Sequence, residues 1–240
     1  MRWIYLSPHL DDAALSAGGW IYDQTRAGAS VEIWTLLAGT PRGALSPLAE
    51  MLHAQWGIAD PSELICARRS EDERAAQILG ATPVYFDFLD CIYRTGKDGA
   101  WLYGDIFVPP HADEDGLPAQ IAEAIAARLR PDDRVLCQLG IGAHIDHTLI
   151  RRAAEALRRP LWYTADIPYL FRAPEALAAL SGSLAETLQP ISAEGVAAWQ
   201  RAAAAYDSQL DSLFKDEEDM RVSISRYAEE IGGLRLWLSP

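Results

Sequence analysis

Short, continuously apolar segments alternate along this chain with segments of helical periodicity, and this alternation constrains its fold more than any other feature. Continuous apolar runs, without polar residues at every second position, are typical of strands covered on both faces. The predicted strands are 3–6, 31–37, 84–86, 134–138 and 161–164. The predicted helices are about 11–27, 67–80, 117–129 and 146–158. The pattern predicts a three-layer, Rossmann-like α/β sandwich with a mostly parallel central sheet.

We expect the whole chain, 1–240, to form a single domain, because half of its residues are hydrophobic and no low-complexity linker interrupts it. An insertion at about 92–116 carries four aromatic residues around the turn-forming segment 96–99. Such a segment is typical of a hairpin or of a lid over a sugar site; equally, its aromatics would simply anchor an irregular loop. The aromatic residues are Tyr93, Trp101, Tyr103 and Phe107.

A helical appendage follows from about residue 190. Its periodicity predicts one long helix at 194–214, a second at 216–231 and a short strand at 234–238. We expect these elements to pack onto the same domain.

Charge and cysteine content exclude several classes of protein. The chain has 34 acidic against 21 basic residues, a formal charge of −13, which repels nucleic acids and anionic lipid surfaces. No apolar segment near the amino terminus is long enough for a signal peptide or a membrane span, so we expect a cytoplasmic protein. Cys66, Cys91 and Cys137 form no Cys-x-x-Cys pair and are expected to be reduced. The sequence leaves the oligomeric state open, including a homo-oligomer.

Two clusters of polar residues carry chemistry. The first strand ends in Ser7-Pro8-His9-Leu10-Asp11-Asp12, at the start of the next helix. Ligands of open α/β sheets bind outside the carboxyl ends of the strands. A single aspartate here would be explained as a helix cap, but two aspartates behind a histidine indicate a site.

The second cluster is His144-Ile145-Asp146-His147, between strand 134–138 and the following helix. It is therefore predicted to open onto the same edge of the sheet. Imidazoles and carboxylates suit zinc, and a catalytic zinc usually has three protein ligands and one open position. The remaining groups would then be free for proton transfer.

These motifs resemble the PIG-L/LmbE family of zinc-dependent N-deacetylases, which act mainly on N-acetylglucosamine-type groups. The family pattern is His-x-Asp-Asp near the amino terminus and His-x-Asp-His past the middle, and both are present in order. Smaller matches are Gly18-Gly19, Arg68 with Glu71, Asp90 and Ser208-Gln209.

The resemblance implies a metal centre and a base. His9, Asp12 and His147 would hold Zn²⁺ or another divalent cation. Asp11 would take the proton from the attacking water. The implied activity is hydrolysis of the amide C–N bond in an N-acetylated amino-sugar conjugate, a small molecule.

The resemblance also implies roles around that centre. His144 would stabilise the oxyanion or protonate the leaving amine, and Asp146 would orient His144. Arg68 and Asp90 would position the substrate. An exposed helix ion pair between Arg68 and Glu71 is the plainer alternative.

Three positions depart from the family pattern. Leu10 and Ala13 stand where many relatives have Pro and Glu, and neither replaces an assigned ligand. Gly142 stands two residues before His144, where some relatives carry a tyrosine that assists the oxyanion. This difference leaves the substrate open.

Other functions remain open at this point. One is hydrolysis of a non-sugar amide by the same metal chemistry. Another is a metal- or sugar-binding module without catalysis, which would have no use for Asp11. A dinucleotide-binding domain is a third, since Gly140-Ile141-Gly142 and Asp166 imitate its fingerprint. In that fingerprint, however, Ile145 occupies the third glycine position and histidines occupy the helix start.

Overall fold

A seven-stranded sheet with the order β3-β2-β1-β4-β5-β7-β6 forms the centre of the computed structural model, which describes residues 1–240. β1 to β5 are parallel to one another, whereas β7 runs antiparallel to β5 and β6. The predicted, mostly parallel sheet is therefore confirmed. The strands are β1 Arg2–Ser7, β2 Ser30–Thr35, β3 Thr82–Tyr85, β4 Arg134–Gln138, β5 Leu161–Thr164, β6 Ala185–Gln189 and β7 Leu234–Leu238.

Ten helices cover the sheet. α1, α3 and α8 contact one another in one layer, and α10 contacts α8, while α4 and α5 pack together elsewhere. None of the helices has the length and apolarity of a membrane span. The helices are α1 Asp12–Arg26, α2 Pro47–Gln55, α3 Pro61–Leu79, α4 Leu117–Ala126, α5 Ile145–Ala156, α6 Tyr169–Arg172, α7 Ala176–Ser181, α8 Ala193–Ala203, α9 Leu210–Leu213 and α10 Glu217–Ile231.

The strand order reverses between β1 and β4. The chain runs outward from β1 to β3 on one side, then returns to β4 and runs outward to β5 on the other. Right-handed crossovers place α1 and α5 on opposite faces and leave a crevice at the carboxyl ends of β1 and β4. The loops that follow these two adjacent strands carry the two polar clusters, so the topology brings the clusters to one place.

The appendage and α3 differ from the sequence predictions. The predicted helix 194–214 is broken, because α8 ends at Ala203 and turns separate it from the short α9. The predicted helix 67–80 starts earlier, at Pro61, since the Asp60 side chain caps the amides of Ser62 and Glu63.

Four elements were not predicted, namely α2, α6, α7 and β6, and the insertion is less regular than a hairpin. α2 lies in a segment that gave no helical prediction, and β6 is largely exposed and polar. In the insertion, residues 91–93 form a single 3₁₀ turn, and one antiparallel bridge joins Thr95 to Trp101. The segment is thus a minimal hairpin with irregular flanks.

Close packing of α1 against α8 depends on Gly18. A Cβ atom at this position would lie 2.7 Å from Cδ1 of Trp199. Trp199 cannot easily yield, because it is fully buried and its Nε1 donates a hydrogen bond to the carbonyl of Leu15. The glycine therefore fixes the distance between the two helices.

We expect Gly18→Ala to lower the free energy of unfolding by about 1–2 kcal/mol. Overpacking costs about 1–3 kcal/mol, and the better helix propensity of alanine returns at most about 1 kcal/mol. Urea unfolding measures the change. Gly116→Ala is the control, since the nearest atom to its added Cβ would be 3.9 Å away. Equal stability of the two variants would contradict this account.

Candidate active site

The two polar clusters meet at the carboxyl ends of β1 and β4. Ligand atoms of His9, Asp12 and His147 all lie within 4.8 Å of one another. Asp12 lies between the two imidazoles: its Oδ2 is 3.2 Å from Nδ1 of His9, and its Oδ1 is 3.3 Å from Nε2 of His147. The three residues expected to hold a metal therefore surround one point.

Helix capping does not explain the paired aspartates. Asp11 is the N-cap residue of α1, yet its side chain makes no capping hydrogen bond. The hydroxyl of Ser7 accepts the amide hydrogen of Ala13 instead, at 3.2 Å. Asp12 Oδ2 accepts the backbone amide of His9, which orders the loop itself. Asp11 is left with a carboxylate that serves no structural role in the helix.

A buried carboxylate holds the outer nitrogen of each imidazole. Nε2 of His9 lies 3.0 Å from Oδ2 of Asp146, and Nδ1 of His147 lies 2.7 Å from Oδ1 of Asp166. Metal-binding histidines commonly donate their second N–H to a carboxylate in this way. The nitrogens left over, Nδ1 of His9 and Nε2 of His147, are those that face Asp12.

Asp166 was missed as a site residue in the sequence, where it served only the dinucleotide comparison. It follows β5 directly, at the same edge of the sheet. Its other oxygen accepts the amide of Ile141 at 2.9 Å. A carboxylate directly after a predicted parallel strand was the signal that could have revealed it.

The Asp146 carboxylate lies against His9 and makes no hydrogen bond to the ring of His144. Its backbone amide donates to Nδ1 of His144 at 3.1 Å. The expected orientation of His144 by Asp146 is therefore made through the main chain. Because Nδ1 accepts, the neutral ring carries its hydrogen on Nε2. Burial, together with the nearby His147 and His9, holds the pKa of His144 well below its usual value.

Asp11 has the environment of a base. Burial and the adjacent charge of Asp12 raise the pKa of Asp11 to about 6, against the opposing effect of Arg68. Nη2 of Arg68 lies 3.6 Å from Oδ2 of Asp11, and the guanidinium lies over the ring of Trp56. A carboxylate with a pKa near neutrality is suited to general-base work.

The donor set and charge fit a divalent cation. Burial lowers the pKa of His9, but Asp90, Asp12 and Asp146 raise it by more, so the net shift is upward. For His147, the neighbouring carboxylates likewise outweigh burial and raise the pKa. Two imidazoles and one carboxylate, surrounded by excess negative charge, are a ligand set that zinc accepts.

A cavity of about 250 Å³ opens over these groups. Arg68 and Asp90, the residues expected to position the substrate, both line it; Oδ2 of Asp90 lies 3.5 Å from Nε2 of His9. The apolar wall combines α2, the insertion, α6 and the segment around α9. Its residues are Leu15, Leu52, Trp56, Ile92, Ile106, Phe107, Ile167, Tyr169 and Leu213.

Tyr169 occupies the space above Gly142. Gly142 has a φ of 87°, and a Cβ there would lie 2.9 Å from the ring of Tyr169. The same ring packs edge-on against His147, with centroids 5.4 Å apart. The glycine that departs from the family pattern thus admits an aromatic residue from α6 to the cavity.

Two acidic residues of α3 accept hydrogen bonds from the segment just before α9, which continues into the wall of the cavity. Both oxygens of Glu71 accept hydrogen bonds from Ser208, from its amide at 2.8 Å and its hydroxyl at 2.7 Å. Asp72 accepts from Tyr206 at 2.7 Å and from Tyr85 at 3.1 Å. Glu71 is buried and makes no ion pair with Arg68, so the plainer alternative, an exposed helix pair, is wrong.

Comparison with known proteins identifies relatives by sequence. The PIG-L family model, described as GlcNAc-PI de-N-acetylase, matches residues 4–157. The 2'-N-acetylparomamine deacetylase of Niallia circulans is 25% identical over 183 residues, covering 69% of this chain and 66% of that protein. The enzyme of the same name from Streptomyces fradiae is 30% identical over 176 residues, covering 70% and 57%. The chain thus spans less than two thirds of either relative.

Solved structures match over the full chain. A deacetylase of teicoplanin biosynthesis, in a complex designated bog, has a TM-score of 0.83 and 28% identity, covering 99% of this chain and 97% of that one. The zinc-inhibited form of teicoplanin deacetylase Orf2 has a TM-score of 0.82, 27% identity and the same coverage. The A40926 pseudoaglycone deacetylase Dbv21 has a TM-score of 0.73 and 29% identity, covering 98% and 96%.

We expect Asp72 to make stability depend on pH in a defined direction. Burial raises its pKa to about 6, although the bonds from Tyr206 and Tyr85 lower it. A folded-state pKa above the unfolded one means that the folded protein binds the proton more tightly. The contribution of Asp72 to stability therefore rises as the pH falls from above 6 towards 4 and is lost as the pH rises again.

Asp72→Asn tests this directly. The amide remains neutral at both pH values. The free energy of unfolding of the variant minus that of the parent should therefore be larger at pH 7.5 than at pH 4.5, by about 1–3 kcal/mol. Urea unfolding of both proteins at both pH values, with a chelator present, gives the difference. The same difference at the two pH values would contradict the burial of an ionised Asp72.

Proposed function

Because the chain belongs to the PIG-L family of GlcNAc-PI de-N-acetylases, we propose that it is a metal-dependent hydrolase that removes the N-acetyl group of an amino-sugar derivative. The products would be acetate and a free amine. The relatives named as deacetylases of 2'-N-acetylparomamine and of teicoplanin biosynthesis support this substrate class.

The observation that carries the proposal is the position of Asp11 beside the three candidate ligands. Its carboxylate caps no helix amide, lines the cavity and has a pKa raised to about 6. A site that only binds a metal or a sugar needs no such group. This argument favours catalysis over the non-catalytic module considered from the sequence.

His9, Asp12 and His147 are the residues proposed to hold the cation. The carboxylates of Asp146 and Asp166 keep the ring nitrogens of these histidines oriented. When bound, a Zn²⁺ ion would polarise the substrate carbonyl and acidify a water molecule. Zn²⁺ is the first candidate, and the same imidazole and carboxylate ligands also suit other divalent cations.

Asp11 is proposed to accept and release the proton, and His144 is proposed to stabilise the oxyanion. Asp11 accepts a proton as water adds to the acetyl carbon. The Nε2–H of His144, free of any hydrogen-bond partner in the protein, donates to the oxyanion that develops on the carbonyl oxygen. The C–N bond then breaks, and the proton held by Asp11 passes to the leaving nitrogen.

The walls of the cavity are proposed to hold the sugar. Trp56, Phe107 and Tyr169 offer aromatic faces, while Arg68 and Asp90 offer a donor and an acceptor near the metal ligands. Apolar faces with a few polar groups are typical of small-ligand pockets. An amino sugar has both the apolar ring face and the hydroxyl groups that such a wall recognises.

We expect Asp11→Asn to retain the metal and lose most of its turnover. An amide cannot accept the proton, and general-base catalysis contributes about 10²–10⁴-fold. Acetate release from N-acetylglucosamine conjugates measures turnover, and elemental analysis measures the metal. Asp207→Asn, at an exposed position, is the matched control and should keep full activity. Undiminished turnover of Asp11→Asn would remove Asp11 from the mechanism.

We expect His147→Ala to lose the metal itself. Removal of one of three ligands should reduce bound metal from one ion per chain to a small fraction, measured after titration with Zn²⁺, Co²⁺ or Mn²⁺. Several cations are needed because one of the structural relatives was crystallised in a zinc-inhibited form. His111→Ala, at an exposed residue that does not line the cavity, should bind as the parent does. Full metal content in His147→Ala would contradict the ligand set.

A further inference from the structure

The insertion reaches into the site through Arg94. This arginine is only 7% exposed, although it belongs to an irregular segment. Its Nε lies 2.6 Å from Oε1 of Glu114, and its Nη2 lies 2.7 Å from Oδ1 of Asp146. These contacts are ion pairs without hydrogen-bond alignment. The guanidinium also faces the ring of Tyr103, at 5.5 Å. Of the two ion-pair partners of Arg94, Glu114 belongs to the insertion and Asp146 does not.

The carboxylate of Asp146 needs the positive charge of Arg94 because it is fully buried. Its Oδ2 accepts the amide of Cys91 at 2.9 Å and contacts Nε2 of His9 at 3.0 Å. Its Oδ1 has no hydrogen-bond donor, and the guanidinium of Arg94 is the charge that faces it. A buried carboxylate that loses its only fixed counter-charge is strongly destabilised and moves or becomes neutral.

We propose that Arg94 is a positioning residue of the metal centre. It fixes the Asp146 carboxylate against Nε2 of His9, and this keeps Nδ1 of His9 turned towards Asp12. The inference rests on the proposed metal site. The insertion then helps to position a candidate metal ligand as well as forming part of the cavity wall. Three contacts in series make this connection: Glu114 with Arg94, Arg94 with Asp146, and Asp146 with His9.

A purely structural role for Arg94 makes a different prediction. As a staple of the insertion, Arg94 would affect stability and the cavity wall, but the affinity of the apoprotein for metal would not change. As a positioning residue, it would affect metal affinity directly. Metal affinity measured on the apoprotein therefore separates the two roles without any assay of activity.

The test is a titration of the metal-free protein with Zn²⁺ against a chelating indicator. Loss of an outer-shell partner of a metal ligand typically weakens metal binding about 10–100-fold. We expect Arg94→Met to bind Zn²⁺ about tenfold more weakly than the parent, and Asp146→Asn to do the same. The double variant should bind no more weakly than Asp146→Asn alone, because Arg94 acts through Asp146.

Arg2→Met is the matched structural control. Arg2 also pairs with two acidic residues, Asp133 and Glu32, but at the opposite end of β1. It should lose stability and keep the parental Zn²⁺ affinity. If Arg94→Met does not fold, Arg94→Lys tests the same point, because an ammonium group cannot pair with Glu114 and Asp146 as the planar fork does. It should bind Zn²⁺ at least about threefold more weakly.

The outcomes separate this inference from the function on which it rests. If the parent protein binds no divalent cation, the proposed metal-dependent function is wrong. If the parent binds Zn²⁺, and folded Arg94→Met or Arg94→Lys binds it with unchanged affinity, Arg94 is a structural staple and the inference is overturned.

Discussion

The site depends on the contact of Asp12 with both His9 and His147. These residues come from loops after two neighbouring parallel strands, more than 130 positions apart in the chain. The strand order reverses between β1 and β4, so the helices that follow these strands lie on opposite faces of the sheet and the two loops can meet at its edge. Asp146 and Asp166 then orient the two rings from outside. The arrangement is a set of carboxylates and imidazoles whose excess negative charge fits a divalent cation.

Local patterns were sufficient to predict the central strands and the two clusters. A buried parallel strand is a continuous apolar run, and ligands bind at the loops after such strands, so the two clusters could be located from the sequence. The choice of His9, Asp12 and His147 as ligands came from the resemblance to the PIG-L family. Arg94 and Tyr169 were not accessible, since each acts through a contact distant in sequence, whereas Asp166 was missed although it lies just after a predicted strand. β6 escaped prediction because it is a polar, exposed edge strand without an apolar pattern.

Buried ion pairs explain how an irregular insertion can have a fixed position. Residues 91–116 contain only short turns and a single bridge, which give little order by themselves. Arg94, Glu114 and the bond from Tyr103 to Glu114 at 2.5 Å provide the missing constraints from within. The same contacts bring the insertion against Asp146. The charged groups that order the loop therefore also hold Asp146 in place.

The hydrogen bonds between Glu71 and Ser208 join two parts of the chain that both contribute to the cavity. The candidate metal ligands lie inside residues 4–157, which the family model matches, whereas Asp166 and the segment carrying Gln209 and Leu213 lie outside that range. Residues 209–213 line the cavity but include none of the candidate metal ligands, so their side chains can vary in size and shape without displacing those ligands.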